Sequence, residues 1–209
     1  IYVPEGQRAQ LTMADGTKVW LNARTSFAFP TCFSEKERKV ELDGEAYFDV
    51  ARDETMKFVV QTEKYHVDVL GTEFNVRAYL QDNQFETALI KGSVEIFSGE
   101  TQEKIRLTPE KRAYRENGHL VQAALPNHDH FLWKEGIIAF EKESVKNIFD
   151  KLQLYYDIRI EVKNKKLPAD TYTGKFRTKD GIEHVLKVLQ LRHKFRYTKD
   201  NDSNKIVIY

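Results

Sequence analysis

Apolar residues recur along this chain with two different periods, and the change falls about two-thirds of the way through. In residues 1–125 the pattern is short and alternating. Val19-Trp20-Leu21, Val40-Glu41-Leu42, Ala46 to Val50, Phe58-Val59-Val60, Val67-Asp68-Val69, Phe74-Asn75-Val76 and Val94 to Phe97 are rich in β-branched and aromatic residues, which predicts strands. Asp15-Gly16, Asp43-Gly44, Gly71, Gly92 and Asn117-Gly118 predict the turns between them. Three segments place Gly-Thr or Gly-Ser before a strand: Gly16-Thr17, Gly71-Thr72 and Gly92-Ser93. That pairing predicts a recurrent tight turn, because glycine tolerates positive φ and the hydroxyl can bond the local backbone. The expectation is an all-β domain, a sandwich or short twisted solenoid.

Beyond Leu125 the period lengthens. Val145, Ile148, Phe149 and Leu152 follow the i, i+3, i+4, i+7 spacing of one helix face, and Ile182, Val185, Leu186 and Leu189 repeat it 37 residues later. At the same offset Ile158 and Ile160 align with Phe195 and Tyr197. A duplicated helix–strand unit follows from this. Strands are expected at Gly136–Phe140, Ile158–Val162, Tyr172–Arg177, Phe195–Thr198 and Ile206–Tyr209. Ser144 or a neighbour is expected to cap the first helix, and Asp180 with Glu183 has the form of a capping box for the second. The second helix should run to about Arg192. Lys163–Asp170, with Pro168, reads as a polar loop. The result is a small α+β domain, β-α-β-β-α-β-β, with helices over one sheet face. Residues 126–132 read as a linker, dividing 1–125 from 133–209.

The net charge of +1 hides an asymmetry. Residues 131–209 hold 17 Lys and Arg against 11 Asp and Glu, whereas residues 1–130 hold 16 against 21. A basic C-terminal module suits an acidic partner, but its acids and bases are interspersed, so no nucleic-acid partner is expected. The longest apolar runs are four or five residues, and a membrane helix needs about 20. The first residue is Ile1, so an upstream part is expected to be missing. Cys32 is the lone cysteine and reads as an incidental thiol.

Candidate chemistry is sparse. His128-Asp129-His130 with Glu135 has the HxH-x4-E form of a cupin metal site, but it sits on the expected linker. Glu45 and Asp49 share one strand face and could form an acid pair of the kind that acts on glycans. His66, His119, His184 and His193 are scattered, and capping or solvation is expected for the last two. No catalytic residue, cofactor or metal ligand is assigned.

The succession Asp15-Gly16-Thr17, Gly44-Glu45-Ala46-Tyr47-Phe48-Asp49-Val50, Val69-Leu70-Gly71-Thr72-Glu73-Phe74-Asn75-Val76 and Lys91-Gly92-Ser93-Val94 resembles the periplasmic part of FecR-type regulators. Trp133, Gly136, Phe140 and Tyr155-Tyr156 resemble the C-terminal domain of the Bacteroidetes branch, similar to the secretin/TonB short N-terminal (STN) fold. The resemblance implies the periplasmic sensor region of a single-pass inner-membrane anti-sigma factor. Its implied partners are the N-terminal signalling domain of a TonB-dependent outer-membrane transducer and, through an absent cytoplasmic segment, an extracytoplasmic-function (ECF) sigma factor. The membrane would be reached only through the missing upstream helix. The docking mode expected is strand addition at the last strand, read as an edge. The expected partner-binding residues are Tyr197, Ile206, Val207, Ile208 and Tyr209, with Lys194 and Lys199 steering. The rival reading is a glycan-binding or glycan-cleaving β domain, marked by an open cleft with exposed aromatics and paired acids.

Overall fold

The computed structural model describes residues 1–163 and 170–209. The expected polar loop around Pro168 lies outside the described residues. The chain divides into two compact units: Ile1–Pro4 with Arg8–His128, and Glu5–Gln7 with Asp129–Tyr209.

The first unit is built from strands β1 (Tyr2–Val3), β2 (Ala9–Thr12), β3 (Lys18–Leu21), β4 (Thr25–Ala28), β5 (Arg38–Asp49), β6 (Phe58–Gln61), β7 (Tyr65–Val69), β8 (Glu73–Ala78), β9 (Glu86–Lys91), β10 (Val94–Ser98), β11 (Lys104–Leu107), β12 (Lys111–Glu116) and β13 (His119–Ala124). The main path runs β11-β10-β7-β6-β5-β8-β9-β12-β13. All these pairings are antiparallel except β5 with β6. The sheet nearly closes on itself. Glu103, just before β11, accepts the Leu120 N–H of β13 at 3.1 Å. Period-two alternation puts Phe27, Phe48, Phe58, Phe74, Leu89 and Ile96 into one apolar core.

One predicted turn is absent. Asp43-Gly44 does not end a strand; it lies inside the 12-residue β5. The first half of β5 pairs with β4 and β6, and the second with β3 and β8. Gly44 is required there for space and conformation. Its φ is +133°, and a Cβ would sit 2.4 Å from Thr25 Oγ1. Asn117-Gly118 does turn the β12–β13 hairpin, both residues at positive φ, as a primed hairpin turn requires.

The second unit carries β14 (Ile137–Ser144), α1 (Val145–Tyr156), β15 (Arg159–Val162), β16 (Thr171–Arg177), α2 (Ile182–Gln190), β17 (Tyr197–Asp200) and β18 (Lys205–Ile208). The 37-residue repeat is a β-α-β unit used twice. All eight repeated helix positions are buried, none more than 5% exposed. Each such side chain contributes roughly 1.5–3 kcal/mol by leaving water. The expectation of helices over a single sheet face is corrected. β14 and β16 form a two-stranded sheet, and β15-β18-β17 form a separate three-stranded one. Both helices share one core with Ile138, Phe140 and Tyr172 of the first sheet and Ile160, Ile206 and Ile208 of the second. Glu5–Gln7 joins this unit through the Gly6 N–H, which donates to the Leu154 carbonyl at 2.9 Å.

The two helices begin differently. Ser144 caps α1, its Oγ accepting the Asn147 N–H at 3.2 Å. The predicted Asp180–Glu183 box does not form. Thr178–Asp180 is a 3-10 turn, and Gly181 at φ +79° holds the cap position with no side-chain bond.

Candidate partner-docking site

Antiparallel pairing turns alternate residues of β17 towards and away from β18. Arg196 and Tyr209 exchange both backbone bonds, at 2.8 and 3.3 Å. By alternation, Thr198 and Asp200 also face β18, opposite Val207 and Lys205. The N–H and C=O of Tyr197 and Lys199 therefore point outward. Among the described residues no strand pairs with that side of β17.

β18 itself is the central strand, which overturns its reading as an edge. It pairs in parallel with β15 and antiparallel with β17, so it has no free side. Ile206 and Ile208 are fully buried, their apolar side chains drawn into the core. Val207 lies on the opposite, partly exposed face. Tyr209 is 48% exposed, with Lys163 Nζ 5.6 Å from its ring centre. The other outer strand, β15, is partly covered: Gln153 Oε1 accepts the Ile160 N–H at 2.8 Å. The exposed edge is thus β17, and it carries two of the predicted residues, Tyr197 and Lys199.

Around this edge the side chains divide by role. Tyr197 packs partly on the core. Lys199 Nζ reaches Glu183 Oε1 at 3.0 Å, so its charge is already matched. Arg192, Lys194 and Arg196 are exposed and basic. Leu191 is 87% exposed, the most exposed large apolar residue among those described. It was not among the predicted residues, although the sequence marks it: it falls off the Ile182-Val185-Leu186-Leu189 stripe. The β17–β18 turn is closed by hydrogen bonds to the Asp200 side chain. Asp200 accepts from Ser203 Oγ at 2.6 Å and the Asp202 N–H at 2.9 Å, and these bonds hold its carboxyl below the usual carboxylate range.

The other candidates separate. Glu45 is buried and accepts from Asn22 Nδ2 at 2.8 Å and Asn75 Nδ2 at 3.0 Å, whereas Asp49 is exposed at the strand end. They make no working acid pair. His128 Nε2 bonds Glu110 at 3.0 Å and Asp129 pairs with Lys175 at 2.8 Å. No group of three metal-ligating side chains occurs among the described residues. His193 is 6% exposed, edge-on to Tyr172 at 5.1 Å; where capping or solvation was expected, the ring is packed. Cys32 is exposed.

The comparisons with known proteins agree with this architecture. A family profile described as "FecR protein" matches residues 1–95, and one described as "FecR, C-terminal" matches residues 137–208. Two crystal structures of "a putative anti-sigma factor from Parabacteroides distasonis", at 1.65 and 2.50 Å, superpose with TM-scores of 0.87 and 0.86. Each is 32% identical, with 100% of this chain and 97% of that chain covered. No curated protein matches the chain. The fold and these matches define a regulatory protein of two β-containing units. The chain belongs to the FecR family of anti-sigma regulators. Proteins of that family are membrane-anchored, with periplasmic regions. No helix among the described residues is long and apolar enough to cross a membrane.

Proposed function

We propose that this chain is the periplasmic sensor region of a transmembrane anti-sigma factor, and that its second, STN-like unit receives the N-terminal signalling domain of a TonB-dependent outer-membrane transducer. The transducer adds a strand to the outer side of β17. The signal passes on to an ECF sigma factor through a cytoplasmic segment outside this chain. One observation carries the reading: the outward backbone groups of Tyr197 and Lys199 have no partner strand among the described residues. Added strands bind through such groups, and neighbouring side chains select the partner. Leu191, exposed and just ahead of β17 in the chain, is the proposed apolar anchor. Lys194, with Arg192 and Arg196, supplies the charge that steers an acidic partner.

The test is titration of the chain with the cognate transducer's signalling domain. Lys199→Pro removes one outward N–H at an edge position, where proline leaves the sheet's own ladder intact. It should weaken docking by roughly tenfold or more while the melting temperature stays within a few degrees. Unchanged affinity in that variant would rule out docking at β17. Lys194→Glu should slow association at low salt and leave dissociation nearly unchanged.

A further inference from the structure

The Gly-Thr and Gly-Ser turns of the first unit do more than reverse the chain. Two of them, Gly71-Thr72 and Gly92-Ser93, meet at one groove of about 450 Å³. Its walls are preformed by close backbone packing. A Cβ on Gly71 would sit 2.6 Å from Arg52 Cα, and one on Gly92, at φ +98°, would sit 2.8 Å from Thr72 Oγ1. Thr72 Oγ1 donates to the Ser93 carbonyl at 3.0 Å, and the Asp53 N–H donates to the Leu70 carbonyl at 2.7 Å. The floor is a cross-strand row: Asp68 of β7, Glu95 of β10 and Arg106 of β11 stand opposite one another in register.

The charges in this row are unequally matched. Lys57 Nζ bonds Asp68 at 2.9 Å, Lys104 Nζ bonds Glu95 at 3.0 Å, and Arg52 bonds Glu54 at 2.6 Å. Each acid is therefore neutralised. Arg106 is the exception: its Nε donates to Ser93 Oγ at 3.1 Å, and its charge meets no carboxylate within ion-pair distance among the described residues. Asp68 Oδ1 is buried with no hydrogen-bond donor. The groove thus holds one surplus positive charge, neutral-balanced carboxylates that accept hydrogen bonds, and the half-exposed side chain of Leu70.

We infer that this groove binds an acidic saccharide. The ligand's carboxylate or sulfate pairs with the Arg106 guanidinium, whose planar fork suits such a group. Its hydroxyls donate to Glu95, and its C–H face rests on Leu70. A zwitterionic peptide fits less well, because the ammonium subsite it needs is already cancelled by Lys57 and Lys104. Successive strands lie about 4.8 Å apart, so Asp68 and Arg106 are separated by about the length of a disaccharide. The volume is in the range of small-ligand sites. This binding is independent of docking at β17 and gives the first unit a sensing role of its own.

The experiment is calorimetric titration of the 209-residue chain with three acidic probes: digalacturonate, a chondroitin sulfate disaccharide and sialic acid. Lactose, alanylalanine and inorganic phosphate are the comparison ligands. At least one acidic probe should bind saturably, with amide shifts clustered at Asp68, Ser93, Glu95 and Arg106. Arg106 is exposed on an outer strand, so Arg106→Gln should leave the fold intact and weaken binding roughly tenfold. Glu95→Gln should weaken it less. Failure of all three acidic probes to bind overturns the proposal. So does binding of alanylalanine in their place, equal affinity for phosphate, or an Arg106→Gln variant that binds as the parent does.

Discussion

The two units solve the same problem, holding short strands together, by different means. Ten of the eleven buried polar residues among those described lie in the first unit, and one, His193, lies in the second. In the first unit they act as cross-links. Arg38, 2% exposed, joins Asp15 at 2.9 Å, the Ala51 carbonyl at 2.8 Å and the Met56 carbonyl at 3.0 Å. Glu45 of β5 ties Asn22, just past the end of β3, to Asn75 of β8. The second unit relies on apolar stripes from a repeated helix. A many-stranded sheet must specify register at each pairing, and paired buried polar groups do so because a slip would strand them without partners. Two helices over small sheets are positioned mainly by packing, with a few side-chain bonds such as Tyr172 Oη donating to the Leu189 carbonyl at 3.0 Å.

This contrast can be broken by substitution, with hydrogen exchange reading each unit separately. The largest effect should come from Gly44→Ala. The added Cβ strikes Thr25, at a cost of about 3 kcal/mol or more, and amides of β4, β5 and β8 should lose protection while those of α1 and α2 keep theirs. Loss of protection across both units would show that they do not unfold separately.

Next in size are Leu152→Ala and Leu189→Ala. Both residues are fully buried and stand at equivalent points of the repeat. Each should cost about 2–5 kcal/mol. If the repeat is also energetic, chemical denaturation should give costs agreeing to about 1 kcal/mol.

Smaller still is the difference between helix caps. Ser144→Ala should cost about 1 kcal/mol, whereas Asp180→Ala should cost almost nothing, since Asp180 makes no cap bond. Equal losses in thermal melts would restore the capping box.

The smallest effect is titration at Glu103. Hydrogen bonds from Thr101 Oγ1, the Leu120 N–H and His119 hold its pKa at about 2, below the ordinary 4.5. A depressed acid stabilises the fold above its unfolded pKa and loses that contribution as pH falls towards 2. The stability gap between the parent and Glu103→Gln should therefore be open at pH 6 and narrow at pH 2.5.

Much of the second unit was legible because its repeat is a periodic signal. Val145 to Leu152 and Ile182 to Leu189 announce both helices, and Ser144 announces one cap. In the first unit, β3, β6, β7, β8 and β10 carry β-branched or aromatic runs, whereas β11 and β12 interleave Lys and Arg with few such residues and β13 offers only the pair Leu120-Val121. Those strands are held by their neighbours, so propensity misses them. Gly44 misled for a related reason. Glycine marks a turn in isolation, but here it makes room for Thr25 across the sheet.

Local chemistry in the chain determined both helices and the strongly patterned strands, and that the last third is a duplication, because periodicity is a property of consecutive residues. Only tertiary structure decided which strand lies outermost. Ile206–Ile208 and Tyr197–Asp200 are both short strands near the chain's end, and nothing in either reveals that the first is flanked on both sides. Strand order depends on pairing between distant segments, Arg159–Val162 above all. The same holds for Asp68, Glu95 and Arg106, which share a groove because register across three strands brings them level.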